Sequence, residues 1–234
     1  MRLNKYIAAA GIVSRRKADQ LTINGNVKIN GIVITTPGVD VQPGDVVGVN
    51  GIEITPEEKK VYFMLNKPAG YLTAMSDDHD RETVAELVKD IPQRIFPVGR
   101  LDYNTTGLLI MTNDGELANK LAHPRNHIGK TYRVKVSGIL SDTRVYKLRK
   151  GVDLGDFVTG PAQVKVITQT AKSAVADITI YEGKNRQVRR MFKAVGCPVQ
   201  TLHRMAIGTL YLSRLLEGHH RKLTRQEIDY LKSL

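Results

Sequence analysis

The sequence predicts an α+β protein in two modules: a small helix–helix–sheet module, then a larger one with a largely antiparallel sheet. Three observations predict this. Strand candidates outnumber helix candidates, and most follow one another without the helical crossover that parallel pairing needs. Asn-Gly pairs stand at 24–25, 30–31 and 50–51, the chemistry of helix ends and tight hairpins. A polar stretch, Thr55-Pro56-Glu57-Glu58-Lys59-Lys60, interrupts the apolar pattern and reads as a linker. The modules are therefore drawn as residues 1–58 and 59–234.

In the first module a short helix fits Leu3 to Ala10, ended by Gly11. Ser14 is placed to cap a second helix through about Ile23, with Asn24-Gly25 ending it. Val27-Lys28-Ile29 and Ile32-Val33-Ile34 flank Asn30-Gly31 as a two-residue hairpin. Further strands fit around Val39–Val41 and Val46–Val49. In the second module Val61 to Asn66 reads as a strand, broken by Lys67-Pro68-Ala69-Gly70. Thr83-Val84-Ala85-Glu86 is a capping-box pattern, predicting a helix that stops before Pro92. The apolar run Leu108-Leu109-Ile110-Met111 predicts a buried strand, and a helix follows over Glu116–Ala122, stopped by Pro124. Strands fit Thr131–Val136, Ala162–Ile167 and Ala174–Tyr181. Val188, Met191, Phe192 and Val195 then form one helical stripe, with Arg186, Arg189, Arg190 and Lys193 largely opposite and Gly196 at the end. Thr224-Arg225-Gln226-Glu227 is a second capping box, opening a C-terminal helix.

The composition is globular: 41% hydrophobic and 25% charged among 234 residues, which excludes disordered and collagen-like classes. No run approaches the ~18 apolar residues of a membrane span, and Met1–Lys17 lacks the apolar core of a secretion signal. A cytoplasmic protein without a membrane partner is expected. Cys197 is the only cysteine, so no internal disulfide or cysteine-rich metal site can form. Lys and Arg outnumber Asp and Glu by 35 to 23, a net charge of +12 that favours polyanionic partners. The excess is uneven. Residues 1–30 hold six basic residues, among them Arg2, Lys5, Arg15, Arg16 and Lys17, against the single acid Asp19. Cations on the first turn of the second helix oppose its dipole, at a cost of a few tenths of a kcal/mol each. An RNA phosphate there would reverse the sign.

Several chemistries lack their residues. Pro124 breaks the helix that would align His123 with His127, and His219-His220 has no carboxylate cluster nearby, so no metal site is expected. Gly129-Lys130-Thr131 ends like a phosphate loop, but the required earlier glycine is Pro124. No Gly-x-Ser-x-Gly elbow, Cys-x-x-Cys pair or dinucleotide-binding turn occurs. What remains is Asp102, two residues after Arg100 and just before Tyr103-Asn104-Thr105-Thr106-Gly107. It reads either as a turn aspartate satisfied by local N–H groups or as a functional carboxylate.

Two resemblances decide between these readings. Arg2-Leu3-Asn4-Lys5-Tyr6-Ile7, Gly11, Ser14-Arg15-Arg16-Lys17-Ala18, Gly25-Asn26-Val27, Asn30-Gly31 and Pro43-Gly44-Asp45 resemble the RNA-binding domain named after small-subunit ribosomal protein four. Lys67-Pro68-Ala69-Gly70, the run from Gly99 to Leu109, His123-Pro124 with Lys130-Thr131-Tyr132, and Glu182 to Met191 resemble the ordered motifs of the ribosomal pseudouridine synthase family. That resemblance implies a central cleft, a monomer, no cofactor, and ribosomal RNA or a pre-ribosomal particle as partner. It implies Asp102 as the essential aspartate, Tyr132 packed on the target uracil, Arg189 paired with the aspartate, and Arg100 acting in rearrangement of the RNA. Val188 is assigned to the base pocket. Arg2, Lys5, Arg15, Arg16, Lys17, Arg186 and Arg190 are assigned to RNA, and Lys67 to a structural role. The substrate expectation leans to large-subunit rRNA over small-subunit rRNA. The rival reading is a non-catalytic RNA-binding assembly protein.

Overall fold

A computed structural model describes residues 1–234 as two compact units, Met1–Lys60 and Val61–Leu234. In the first, α1 (Leu3–Ala9) and α2 (Arg15–Ile23) precede β1 (Val27–Ile29), β2 (Ile32–Ile34), β3 (Val47–Val49) and β4 (Ile52–Ile54). The four strands form one antiparallel sheet in the order β2-β1-β3-β4. Both hairpins turn on Asn-Gly, with positive φ at Asn30 and Gly31 and again at Asn50 and Gly51, the conformation that tight hairpin turns require. Leu3, Ile7, Ala18, Val27, Val47 and Val49 fill the core. The strand expected at Val39–Val41 is reduced to a single bridge, Arg2 with Asp40. Its backbone is used up by the N-terminus: Leu3 N donates to Val39 O and Val41 N donates to Met1 O. The second hairpin strand, β4, was not anticipated.

The larger unit is a nine-stranded sheet flanked by helices. Its elements are β5 (Tyr62–Lys67), β6 (Phe96–Val98), β7 (Thr106–Thr112), α3 (Gly115–Ala122), β8 (Lys130–Ser137), α4 (Asp142–Lys150), β9 (Gln163–Gln169), β10 (Ser173–Ile180), α5 (Gln187–Ala194), β11 (Val199–Ile207), β12 (Leu210–Tyr211), β13 (His220–Lys222) and α6 (Arg225–Ser233). The order is β13-β5-β7-β11-β8-β10-β9, with β6 also on β7 and β12 on β11. Every pairing is antiparallel except β7 with β11. That pair meets at Gly107, whose φ is +110° and whose missing side chain would collide with the Arg204 backbone.

Strands β5 and β7 are buried on both faces. Alternate residues serve two cores: Phe63, Leu65, Leu109 and Met111 join α4 and α5, while Tyr62, Met64, Leu108 and Ile110 join α3 and α6. The far half of the sheet differs. Along β8 and β10 buried residues alternate with more exposed ones, so only one face there is covered.

Three local expectations change. The helix expected from Thr83 is a single tight turn at Glu86–Val88. Leu72 pairs with this segment, donating to Glu82 O and accepting from Val84 N, which draws the would-be first turn into a bridge. Strand β11 and helix α4 form where no element was expected. The Thr224 capping box forms as expected, its hydroxyl and the Glu227 carboxylate exchanging bonds with each other's backbone.

Candidate active site

The site is built around the loop from β6 to β7, which carries Asp102. Lys67, the last residue of β5, lies fully buried beneath it. Its ammonium donates to the carbonyls of Pro68 (2.8 Å) and Thr105 (3.1 Å), and reaches those of Asp102 and Tyr103 at 3.4 Å. Burial lowers the Lys67 pKa to about 8, against the opposing pull of Asp102 and Glu217. Thr73 clamps the loop's other side: its hydroxyl donates to Leu101 O (2.8 Å) and accepts from Leu101 N (3.1 Å).

In this turn the backbone carbonyl of Asp102 accepts from Thr105 N at 3.0 Å, so the local N–H is spent on the main chain. The carboxylate instead faces Arg189. Arg189 Nε stands 3.8 Å from Asp102 Oδ2, with the side chains 13% and 28% exposed. This is an ion pair beyond hydrogen-bond length. Arg189 Nη2 donates to Asn104 O (2.7 Å) and Thr105 Oγ1 (3.3 Å), which fixes the guanidinium to the loop, while its buried Nε has no hydrogen-bond partner. Burial and the neighbouring Arg186 lower the Arg189 pKa, and Asp102 raises it.

Asp102 opens into a cavity of about 250 Å³ that Arg100, Tyr132, Arg186 and Val188 also line. Tyr132 projects from β8 and is buried. Val188 comes from the first turn of α5. Arg186 precedes that helix in a left-handed conformation, φ +49°. Thr105, Lys184 and Asn185 line the same cavity and were not singled out in the sequence. Gln187 braces their segment, donating to Glu182 Oε1 at 2.6 Å.

Arg190 is not brought to this cavity. It pairs with Asp156, donates to Leu154 O, and lies 5.2 Å from the Phe157 ring centroid. In the N-terminal unit Arg15, Arg16 and Lys17 are exposed on the first turn of α2, where Ser14 Oγ accepts from Lys17 N at 3.3 Å. Arg2 bonds Gly38 O and lies 3.6 Å from Asp40, and Lys5 is half-buried on α1. No group of three His, Cys, Asp or Glu side chains is arranged to hold a metal ion.

A carboxylate at the foot of a cleft rimmed by arginine and lysine suits an enzyme acting on an anionic polymer. The model of the RNA pseudouridylate synthase family matches residues 61–194, and that of the S4 domain matches residues 1–47. The ribosomal large subunit pseudouridine synthase B of Bacillus subtilis (strain 168) is 48% identical over 235 residues, covering 100% of this chain and 96% of that protein. The dual-specificity RNA pseudouridine synthase RluF of Escherichia coli O6:H1 is 40% identical, covering 99% of this chain and 79% of that protein. A crystal structure described as a pseudouridylate synthase superposes with a TM-score of 0.71 at 34% identity, covering 99% of both chains. The chain belongs to the S4-containing family of RNA pseudouridine synthases, which are isomerases.

Proposed function

We propose that the protein isomerises uridine to pseudouridine in ribosomal RNA, with Asp102 as the catalytic carboxylate and without a cofactor. The reaction breaks the bond from uracil N1 to the ribose and forms one from C5 to the same carbon. The C5 proton leaves and N1 gains one, so atoms and electrons balance within the substrate. The work left to the protein is to extrude the base, hold it and supply an ionised carboxylate.

The observation that carries this reading is the shared cavity: Asp102, Tyr132 and Val188 line one space, with Arg189 3.8 Å from the Asp102 carboxylate. Extruding a base costs a few kcal/mol, and stacking on Tyr132 returns ~1–3 kcal/mol. Arg189 supplies the counter-charge that an ionised Asp102 needs in a cleft emptied of water. Arg100 and Arg186 stand at the cavity wall and are assigned to the displaced RNA backbone. Residues 1–58 act as the RNA-binding domain and residues 59–234 as the catalytic one. Arg15, Arg16 and Lys17, with Arg2 and Lys5, hold phosphates. Arg190 is assigned to bracing the Asp156 loop in place of RNA contact.

The large subunit is the favoured target, since the Bacillus subtilis relative carries that name over the full length of this chain. The protein works as a monomer in the cytoplasm, on rRNA or a pre-ribosomal particle. The test is Asp102→Asn, assayed by mapping pseudouridine in rRNA exposed to purified protein. Turnover falls at least about 10³-fold, the scale of removing a nucleophile or general base, while RNA affinity holds. Retained turnover would assign the chemistry elsewhere.

A further inference from the structure

The uncovered half of the large sheet holds a second cleft, on the face that α4 and α5 do not cover. It measures about 440 Å³, within the ~300–1,000 Å³ of ligand pockets. Its floor is main chain: Gly208 N donates to Gly129 O at 2.8 Å. A side chain on Gly129 would press on Thr179 and the Tyr181 ring, at 3.1 and 3.3 Å. Tyr181 and Tyr211 line the cleft, and Tyr211 is 58% exposed. Thr179 stands between Gln163 and Thr131 in strand register. Gln163 donates to the Tyr181 hydroxyl at 2.7 Å, and the Thr131 and Thr179 hydroxyls bond at 2.8 Å. In the next row Lys165, Asp177 and Arg133 stand side by side. Arg133 holds Asp177 through two bonds, of 2.8 and 2.9 Å, so the lone acid is neutralised and Lys165 sets the sign of the row.

We infer that this face is a second RNA subsite, which takes an unpaired nucleobase of the substrate against Tyr181 and Tyr211 while Lys165 meets the adjoining phosphate. An exposed ring, Tyr211, and a half-buried one, Tyr181, interleaved on an open sheet with amide, hydroxyl and ammonium groups, offer single-stranded RNA stacking, edge recognition and charge. The missing side chain of Gly129 lets the Tyr181 ring itself lie close against the backbone. The net charge of +12 and the family's action on RNA favour a polyanion over an acidic or apolar protein surface. The inference rests on that family membership and not on the role of Asp102.

The test is a binding titration of full-length protein on an Asp102→Asn background, so turnover does not enter. The probe is a single-stranded 12-nucleotide RNA carrying 5-bromouridine. Photo-crosslinks are expected at Tyr181 or Tyr211. Tyr211→Ala weakens binding about tenfold, within what one stacked base contributes, and Tyr211→Phe restores it. Lys165→Ala reduces the salt slope by about 0.7. In the otherwise native enzyme Tyr211→Ala raises KM and leaves kcat. Unchanged affinity for Tyr211→Ala, crosslinks confined to the Asp102 cavity, or a self-association that Tyr211→Ala disperses would overturn the subsite. A failed Asp102→Asn turnover test would leave the Tyr211 and Lys165 comparisons readable, since each is made within one background.

Discussion

The two units handle charge in opposite ways. In Val61–Leu234 the decisive charges are sunk into the fold: Lys67 and Arg204 are buried and Arg189 nearly so. Each is held by main-chain carbonyls, Lys67 by those of residues 68, 102, 103 and 105, Arg189 by Asn104 O, Arg204 by Leu108 O. In Met1–Lys60 the cations of α2 sit on the surface at the helix end that disfavours them. A buried charge tied to one loop fixes geometry, and its loss is felt in the chemical step. A row of surface charges contributes affinity in small, salt-screened increments. Single substitutions should therefore act steeply in one unit and gradually in the other.

The sharpest break of that contrast, after Asp102 itself, is Lys67→Met. It leaves the carbonyls beneath the Asp102 loop without their donor, at ~1–3 kcal/mol for each buried group left unpaired. A small misplacement of the carboxylate then costs about 10²-fold in kcat, with RNA affinity retained. The pH dependence gives a second readout. Lys67 titrates at about 8 in the folded protein and at 10.5 when unperturbed. Between those values the unfolded chain binds more protons, so the wild type gains stability as pH rises through that window. Denaturation at pH 8 and pH 10.5 checks this: Lys67→Met lacks that gain. Equal pH dependence in both proteins would mean that folding leaves the Lys67 pKa where it is in the unfolded chain.

Tyr132 comes next. It lines the cavity, and its ring is assigned a stacking role. Tyr132→Ala should lower kcat/KM about 10–100-fold and Tyr132→Phe by no more than about threefold, the difference being one stacked base. Equal losses in steady-state assays would assign the function to the hydroxyl.

What the sequence displayed and what it hid follows the same division. Surface-turn chemistry was legible: Asn30-Gly31 makes its hairpin, Ser14 caps α2, and Thr224 with Glu227 forms its box. Long apolar runs were legible too, as with Leu108 to Met111 in β7. Strand β11 was not, because Val199-Gln200-Thr201-Leu202-His203-Arg204 mixes polar residues into a buried position, where Arg204 Nε donates to Leu108 O of β7. Helix α4 buries just Val145 and Leu148, too short a stripe to show a period. Within the site, Asp102, Tyr132 and Arg189 were named from motif resemblance. The loop-pinning geometry of Lys67 was hidden, since a lysine ending an apolar strand ordinarily reaches solvent, and its acceptors lie up to 38 positions away.

The smallest effect tests the other side of the contrast. Replacing Arg15, Arg16 and Lys17 together by alanine removes three exposed cations from the start of α2. Affinity for rRNA should fall, and the slope of log K against log salt should shrink by up to about 3, one lost phosphate contact per cation. At saturating RNA kcat stays unchanged. The same change removes charges that oppose the helix dipole, so the helix gains a few tenths of a kcal/mol per site. A variant that binds RNA more weakly while melting no earlier separates lost phosphate contacts from lost structure. An unchanged salt slope would show instead that these side chains are ordinary solvated charges.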